Sequence, residues 1–140
     1  MSFYLDANIL VALLTPEPLS ARADDFVRSN QDSLIVSEFA AAEFASAIAR
    51  RVRTGETTIE DARADLSDLD AWVAGSTQRV ELSAVDVAAA TAYLRRFDLT
   101  LLAPDALHIA IAERIAATLV TFDRPMAAAA RVLGMAVATP

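Results

Sequence analysis

Four carboxylates stand where chemistry is easiest to build: Asp6, Glu43, Asp105 and Asp123. Asp6 follows the apolar run Phe3-Tyr4-Leu5, and Asp123 follows Leu119 to Phe122; each precedes sequence with helical character. Asp105 comes directly after Pro104 at the start of another helical stretch. Glu43 lies inside a helical segment, and its i±3 and i±4 neighbours are Phe39, Ala40, Ser46 and Ala47. No cation is within helical reach of it, and burial of an uncompensated carboxylate is costly. Acids at several strand ends are far apart in sequence yet converge in space. Crowded together without a cation, they would repel and raise one another's pKa values. A hard divalent ion relieves that crowding with oxygen ligands, and such a site deprotonates water and polarises a phosphoryl oxygen. That is the chemistry of metal-assisted phosphodiester cleavage.

Each acid also has a plainer explanation. Asp6 and Asp123 suit helix caps, although Asn8 could cap in place of Asp6 and leave the acid free. Asp105 complements a helix dipole, and Glu43 could share a solvated stripe with Arg50. His108 sits one turn after Asp105 among Leu107, Ile109 and Ile111, and is read as a packing or hydrogen-bonding histidine. Arg50, Arg51 and Arg53 close the Glu43 helix; Arg50 shares a face with Glu43 and is the best candidate for phosphate contact. Trp72, with Leu66, Leu69 and Val73, forms a packing stripe. The Ala127–Ala130 run suits close helix packing.

The elements that must position these residues alternate. Strands are expected at Phe3–Leu5, Leu34–Val36, Arg79–Leu82, Leu119–Phe122 and Ala136–Ala138. Helices are expected from Asn8 to Leu14, from beyond Pro16 and Pro18 to about Ser29, and from Glu38 to Arg53, with Gly55 as a C-terminal stop. Further helices run from a Thr58 cap to about Ala74, ended by Gly75; from Ala84 to Phe97 after a Ser83 cap; from Pro104 and Asp105 to about Ala117; and from Pro125 to Leu133. Strands separated by helices imply an α/β fold with a mostly parallel sheet covered on both faces, in which ligands gather at the carboxyl ends of strands. No repeat or linker breaks the chain, so residues 1–140 are expected to form one domain.

Composition narrows the classes. The chain has 140 residues, 55% hydrophobic, enough for a core, and no cysteine, which excludes thiolate chemistry and disulfides. The formal charge is −7, and all twelve basic residues are arginine. A strongly acidic protein that handles nucleic acid needs its acids masked by ions and a local arginine cluster for docking. The opening residues lack the pattern of a secretory leader, and charged residues interrupt every apolar stretch before ~18 residues. A cytoplasmic protein with no membrane span is expected.

Four segments together resemble the PIN-domain nucleases, specifically VapC-type toxins of toxin–antitoxin pairs. They are Tyr4-Leu5-Asp6-Ala7-Asn8, Ser37-Glu38-Phe39-Ala40-Ala41-Ala42-Glu43, Pro104-Asp105-Ala106-Leu107-His108-Ile109-Ala110 and Leu119-Val120-Thr121-Phe122-Asp123. They spread over nearly the whole chain in the family's order. The resemblance implies a Rossmann-like three-layer PIN fold with Mg²⁺, or Mn²⁺ in its place, held by Asp6, Glu43, Asp105 and Asp123. It implies endonucleolytic cleavage of RNA, inhibition of growth, a homodimer, and neutralisation by a VapB-type antitoxin. Asn8 and Thr121 match positions that the family uses to orient the acids or the substrate. Many relatives carry an Asn and a further Asp in the last motif, where Phe122-Asp123-Arg124 holds one acid. An acidic pocket also attracts a basic peptide, so an antitoxin is expected to insert Arg or Lys near the carboxylates. Two other readings stand beside this one: a metal-free PIN-like RNA-binding or scaffolding module, and a haloacid-dehalogenase-type phosphatase. The latter needs a second Asp where Asn8 stands and usually a Lys, and the chain has none.

Overall fold

A computed structural model describes residues 1–140. The strands are β1 (Ser2–Leu5), β2 (Ser33–Ser37), β3 (Gln78–Val80), β4 (Thr118–Val120) and β5 (Val137–Ala138). They form a single sheet in the order β3-β2-β1-β4-β5, and every pairing is parallel. The helices are α1 (Ala7–Leu14), α2 (Ser20–Ser29), α3 (Glu38–Arg53), α4 (Ile59–Ser76), α5 (Ala84–Leu94), α6 (Ala103–Arg114) and α7 (Arg124–Val132). The chain lays strands outward from β1 to β3, then returns to add β4 and β5 on the other side. The direction of winding therefore reverses between β1 and β4, and the crevice at their carboxyl ends is where doubly wound sheets bind ligands.

Period-two alternation divides the core. Phe3, Leu5, Leu34, Val36 and Val120 pack on one face with Ile9, Leu10, Phe44, Ile48, Leu69 and Val73 from α1, α3 and α4. Tyr4, Ile35 and Leu119 pack on the other with Ile109, Ile111, Met126, Ala129 and Ala130 from α6 and α7. Strands covered on both sides must be apolar at every position, which is why they appear as unbroken hydrophobic runs. Leu66 and Trp72 pack against the first cluster, so the stripe on α4 serves the core.

Several boundaries differ from expectation. Gly75 does not end α4; the helix runs through it to Ser76, and Thr77 caps the end by donating its amide and hydroxyl to the Val73 carbonyl. α5 stops at Leu94, three residues before Phe97, which takes a left-handed φ of 62° that no helix accommodates. α6 stops at Arg114 because Ala116, at φ 52°, plays the role usually given to glycine. The amides of Ala116 and Ala117 donate to the carbonyls of Glu113 and Ala112, a Schellman ending. β3 and β4 each begin one residue earlier than expected and end two earlier, at Val80 and Val120. Thr121 and Phe122 thereby leave the strand and join the loop that carries Asp123.

Candidate active site

Local sequence puts three of the acids, Asp6, Asp105 and Asp123, at element boundaries. Asp6 directly follows β1 and is itself the N-cap of α1, accepting the Asn8 amide on Oδ1 at 2.5 Å; Asn8 is not the cap. Its other oxygen accepts from Asn8 Nδ2 at 2.9 Å and from the Thr121 hydroxyl at 2.5 Å. Asn8 Oδ1 in turn accepts the Phe122 amide, and Thr121 Oγ1 accepts the Asp123 amide. Asn8 and Thr121 thus lace the carboxyl ends of β1 and β4 around one carboxylate. Asp123 caps α7 by accepting the Met126 amide. Asp105 accepts the Leu102 amide at the start of α6.

Glu43 resolves differently from either local expectation. It projects from α3 towards α6, where His108 Nε2 lies 2.5 Å from its Oε2. The compensating partner is outside its own helix. His108 is 1% exposed, packs on the Phe39 ring, and has Nδ1 2.7 Å from the Tyr4 hydroxyl. The packing and hydrogen-bonding roles expected of His108 are both present, but its position beside Glu43 was invisible in sequence.

Asp6, Glu43, Asp105 and Asp123 line one cavity of about 270 Å³, together with Asn8 and His108. A larger cavity of about 440 Å³ shares Asn8, Val11 and Asp123 with it and is walled by Leu19 and Phe122. Thr121 is buried behind Asp6, and Arg50 is exposed and lies outside both linings. Burial pushes the Asp6 carboxyl up to about 6, although hydrogen bonds from Thr121 and Asn8 oppose it. Burial also raises Asp105, and the charges of Asp123 and Glu43 add to the effect.

All four side chains offer hard oxygen donors of the kind that Mg²⁺ and Mn²⁺ prefer. Glu43, Asp105 and Asp123 each engage one oxygen internally, through His108, Leu102 and Met126, which leaves the other for a cation. No three of the acids are drawn in to ligand geometry around a common point. The donor chemistry fits a divalent ion.

A parallel sheet with carboxylates at its winding reversal defines a Rossmann-like α/β protein with an acidic crevice. Residues 3–132 match the family model for the PIN domain, and the chain belongs to that family. Among curated proteins no relative matches in sequence. Solved structures of the same fold include VapBC2 from Rickettsia felis bound to a promoter DNA fragment, 18% identical over 99% of this chain and 98% of that one, with a TM-score of 0.71. VapC20 of Mycobacterium tuberculosis, described as a toxin that cleaves the sarcin–ricin loop, is 17% identical over 91% and 94%, with a TM-score of 0.74. A toxin–antitoxin complex from Klebsiella pneumoniae matches at 20% identity over 98% and 96%, with a TM-score of 0.63. No helix is long and apolar enough to cross a membrane.

Proposed function

We propose that this PIN-domain chain is a divalent-metal-dependent endoribonuclease, the toxin of a VapBC-type pair. The observation that carries the reading is the meeting of four carboxylates from four separate segments in one cavity at the winding reversal. Asp6, Glu43, Asp105 and Asp123 would hold Mg²⁺ or Mn²⁺, which supplies an activated water and a polarised phosphoryl oxygen. Asn8 and Thr121 hold the Asp6 carboxylate in a fixed orientation, so little reorganisation is needed when charge develops. Arg50, exposed in the last turn of α3, docks a phosphate away from the reacting one, offsetting the repulsion between RNA and an acidic protein. VapC20 is described as a toxin and the Klebsiella pneumoniae assembly as a toxin–antitoxin complex, and this supports a VapB-type antitoxin as partner. The acidic cavity suits a basic side chain of that partner, and a homodimer and a cytoplasmic location accompany the reading.

The test is direct. Purified protein with Mg²⁺ or Mn²⁺ should cleave RNA, EDTA should stop it, and Asp6→Asn should abolish cleavage while leaving the circular dichroism spectrum intact. Cleavage that survives either treatment would refute the metal-site assignment. The internal engagement of every carboxylate favours one alternative, a module that binds without an ion. Calorimetric titration with Mn²⁺ separates the two: absence of both heat and thermal stabilisation would select the binding module.

A further inference from the structure

Behind the acids runs a chain of polar groups that cleavage chemistry does not itself require. Ser37 Oγ lies 2.7 Å from the Tyr4 hydroxyl, which lies 2.7 Å from His108 Nδ1; His108 Nε2 then meets Glu43 Oε2. Ser37, Tyr4 and His108 are all essentially buried, so each group must find its partner within the chain. The directions follow from what each atom can do. With Glu43 ionised its carboxylate only accepts, so Nε2 carries the proton and donates to it. With the ring neutral, Nδ1 is then an acceptor and the Tyr4 hydroxyl donates to it. Tyr4 therefore accepts from the Ser37 hydroxyl, whose oxygen has a lone pair left for the Ala40 amide, 2.9 Å away. Every hydroxyl and ring N–H in the relay has an acceptor, and no buried side-chain polar atom in the protein lacks a partner.

We infer that His108 is a positioning residue: the relay Ser37 to Tyr4 to His108 pins Nδ1 and with it the orientation of the imidazole, and thereby sets how Glu43 presents its second oxygen to the cavity. The relay joins the end of β2, the middle of β1 and the first turns of α6 to a side chain on α3, so the whole scaffold holds one carboxylate. Histidines whose far nitrogen is pinned by a hydrogen bond hold their partner in one orientation, and loss of such outer contacts typically weakens metal affinity by about 10- to 100-fold. This inference rests on the reading of Glu43 as an ion ligand.

His108 is the chain's one histidine, so a long-range ¹H–¹⁵N correlation spectrum of ¹⁵N-histidine-labelled, ion-free protein reports it without ambiguity. A single Nε2–H tautomer is expected, and in Tyr4→Phe the Nδ1 resonance should move as it loses its hydroxyl donor while Nε2 keeps its proton against Glu43. An Nδ1–H ring, a doubly protonated ring, or a spectrum unchanged in Tyr4→Phe would overturn the relay. Mn²⁺ titration then tests its purpose. His108→Phe, which keeps an aromatic ring but removes both nitrogens, should weaken Mn²⁺ binding by about 10- to 100-fold. His108→Gln, whose amide can donate from nearly the same place, should recover part of the loss. Equal affinity in all three proteins overturns the positioning role alone, whereas a wild-type chain that takes up no Mn²⁺ overturns the nuclease reading first. Should His108→Phe fail to fold, the wild-type tautomer and the Tyr4→Phe comparison still decide the matter.

Discussion

Thr121 places its hydroxyl 2.5 Å from Asp6 Oδ2 although 115 positions separate the two residues in sequence. The contact exists because β1 and β4 are neighbours in the sheet, with Leu5 in register with Val120. One residue beyond that pair, Asp6 and Thr121 face each other at the strand ends. The hydroxyl is fully buried and also accepts the Asp123 amide, so it serves two of the four acids.

Thr121→Val keeps the shape and removes the donor. Asp6 should then titrate above its present value of about 6. Leaving these groups unpaired should cost about 1–3 kcal/mol of stability, and Mn²⁺ affinity should fall by about tenfold. Urea unfolding and Mn²⁺ titration measure the two effects. Wild-type affinity in a folded Thr121→Val protein would mean that the hydroxyl does not orient Asp6.

The raised Asp6 pKa also gives stability a pH dependence of definite sign. In the unfolded chain an aspartate titrates near ~3.9; in the folded, ion-free protein burial pushes Asp6 up to about 6. The folded state binds the proton more tightly. Its contribution to stability is therefore fully present below about pH 4 and lost as pH rises through about 6. A gap of about two pH units corresponds to about 3 kcal/mol. Asp86 acts in the opposite sense: burial alone would raise it, but hydrogen bonds from Arg114 and the Ser83 amide hold it low, so its contribution is lost on acidification. Comparing wild type with Asp6→Asn in EDTA removes the Asp86 part. The wild type should lose ground to the variant between pH 4 and 7, and parallel curves would contradict the burial argument.

Asp86 itself supplies a structural control. Its side chain is fully buried, closes a capping box at the start of α5, and is gripped through both oxygens by Arg114 of α6. Arg114→Met strands that carboxylate and should cost about 3–5 kcal/mol, read from denaturant midpoints. Because the pair lies outside the acidic cavity, RNA cleavage by the folded fraction should stay at the wild-type rate. A loss below 1 kcal/mol would show that the carboxylate finds water instead.

Arg50 tests the docking role on the rim of α3. In Arg50→Ala, KM for RNA should rise and kcat stay near the wild-type value. The slope of log affinity against log salt should shrink by roughly 0.7, the value for one phosphate contact on a single strand. An unchanged salt slope would remove Arg50 from the interface.

Much of the architecture was legible because its causes are local. Apolar runs marked the strands, Thr58 and Ser83 marked helix starts, and Gly55 marked a helix end, where it adopts a left-handed φ of 74°. The helix ends at Phe97 and Ala116 were misplaced for the converse reason. Side-chain-bearing residues take left-handed geometry there only because the surrounding turns impose it, and no residue type announces that.

Asp6, Glu43, Asp105 and Asp123 were visible singly as acids at element boundaries or without a helical partner, since that much depends on near neighbours in the chain. Their shared cavity was decided by tertiary structure, through the order β3-β2-β1-β4-β5, which sets β1 beside β4 and brings α3 against the start of α6. The partners of the polar side chains were decided there too: Thr121 for Asp6, His108 for Glu43, Arg114 for Asp86. A buried charge must be satisfied by whichever donor packing brings near, and packing joins residues without regard to their distance along the chain.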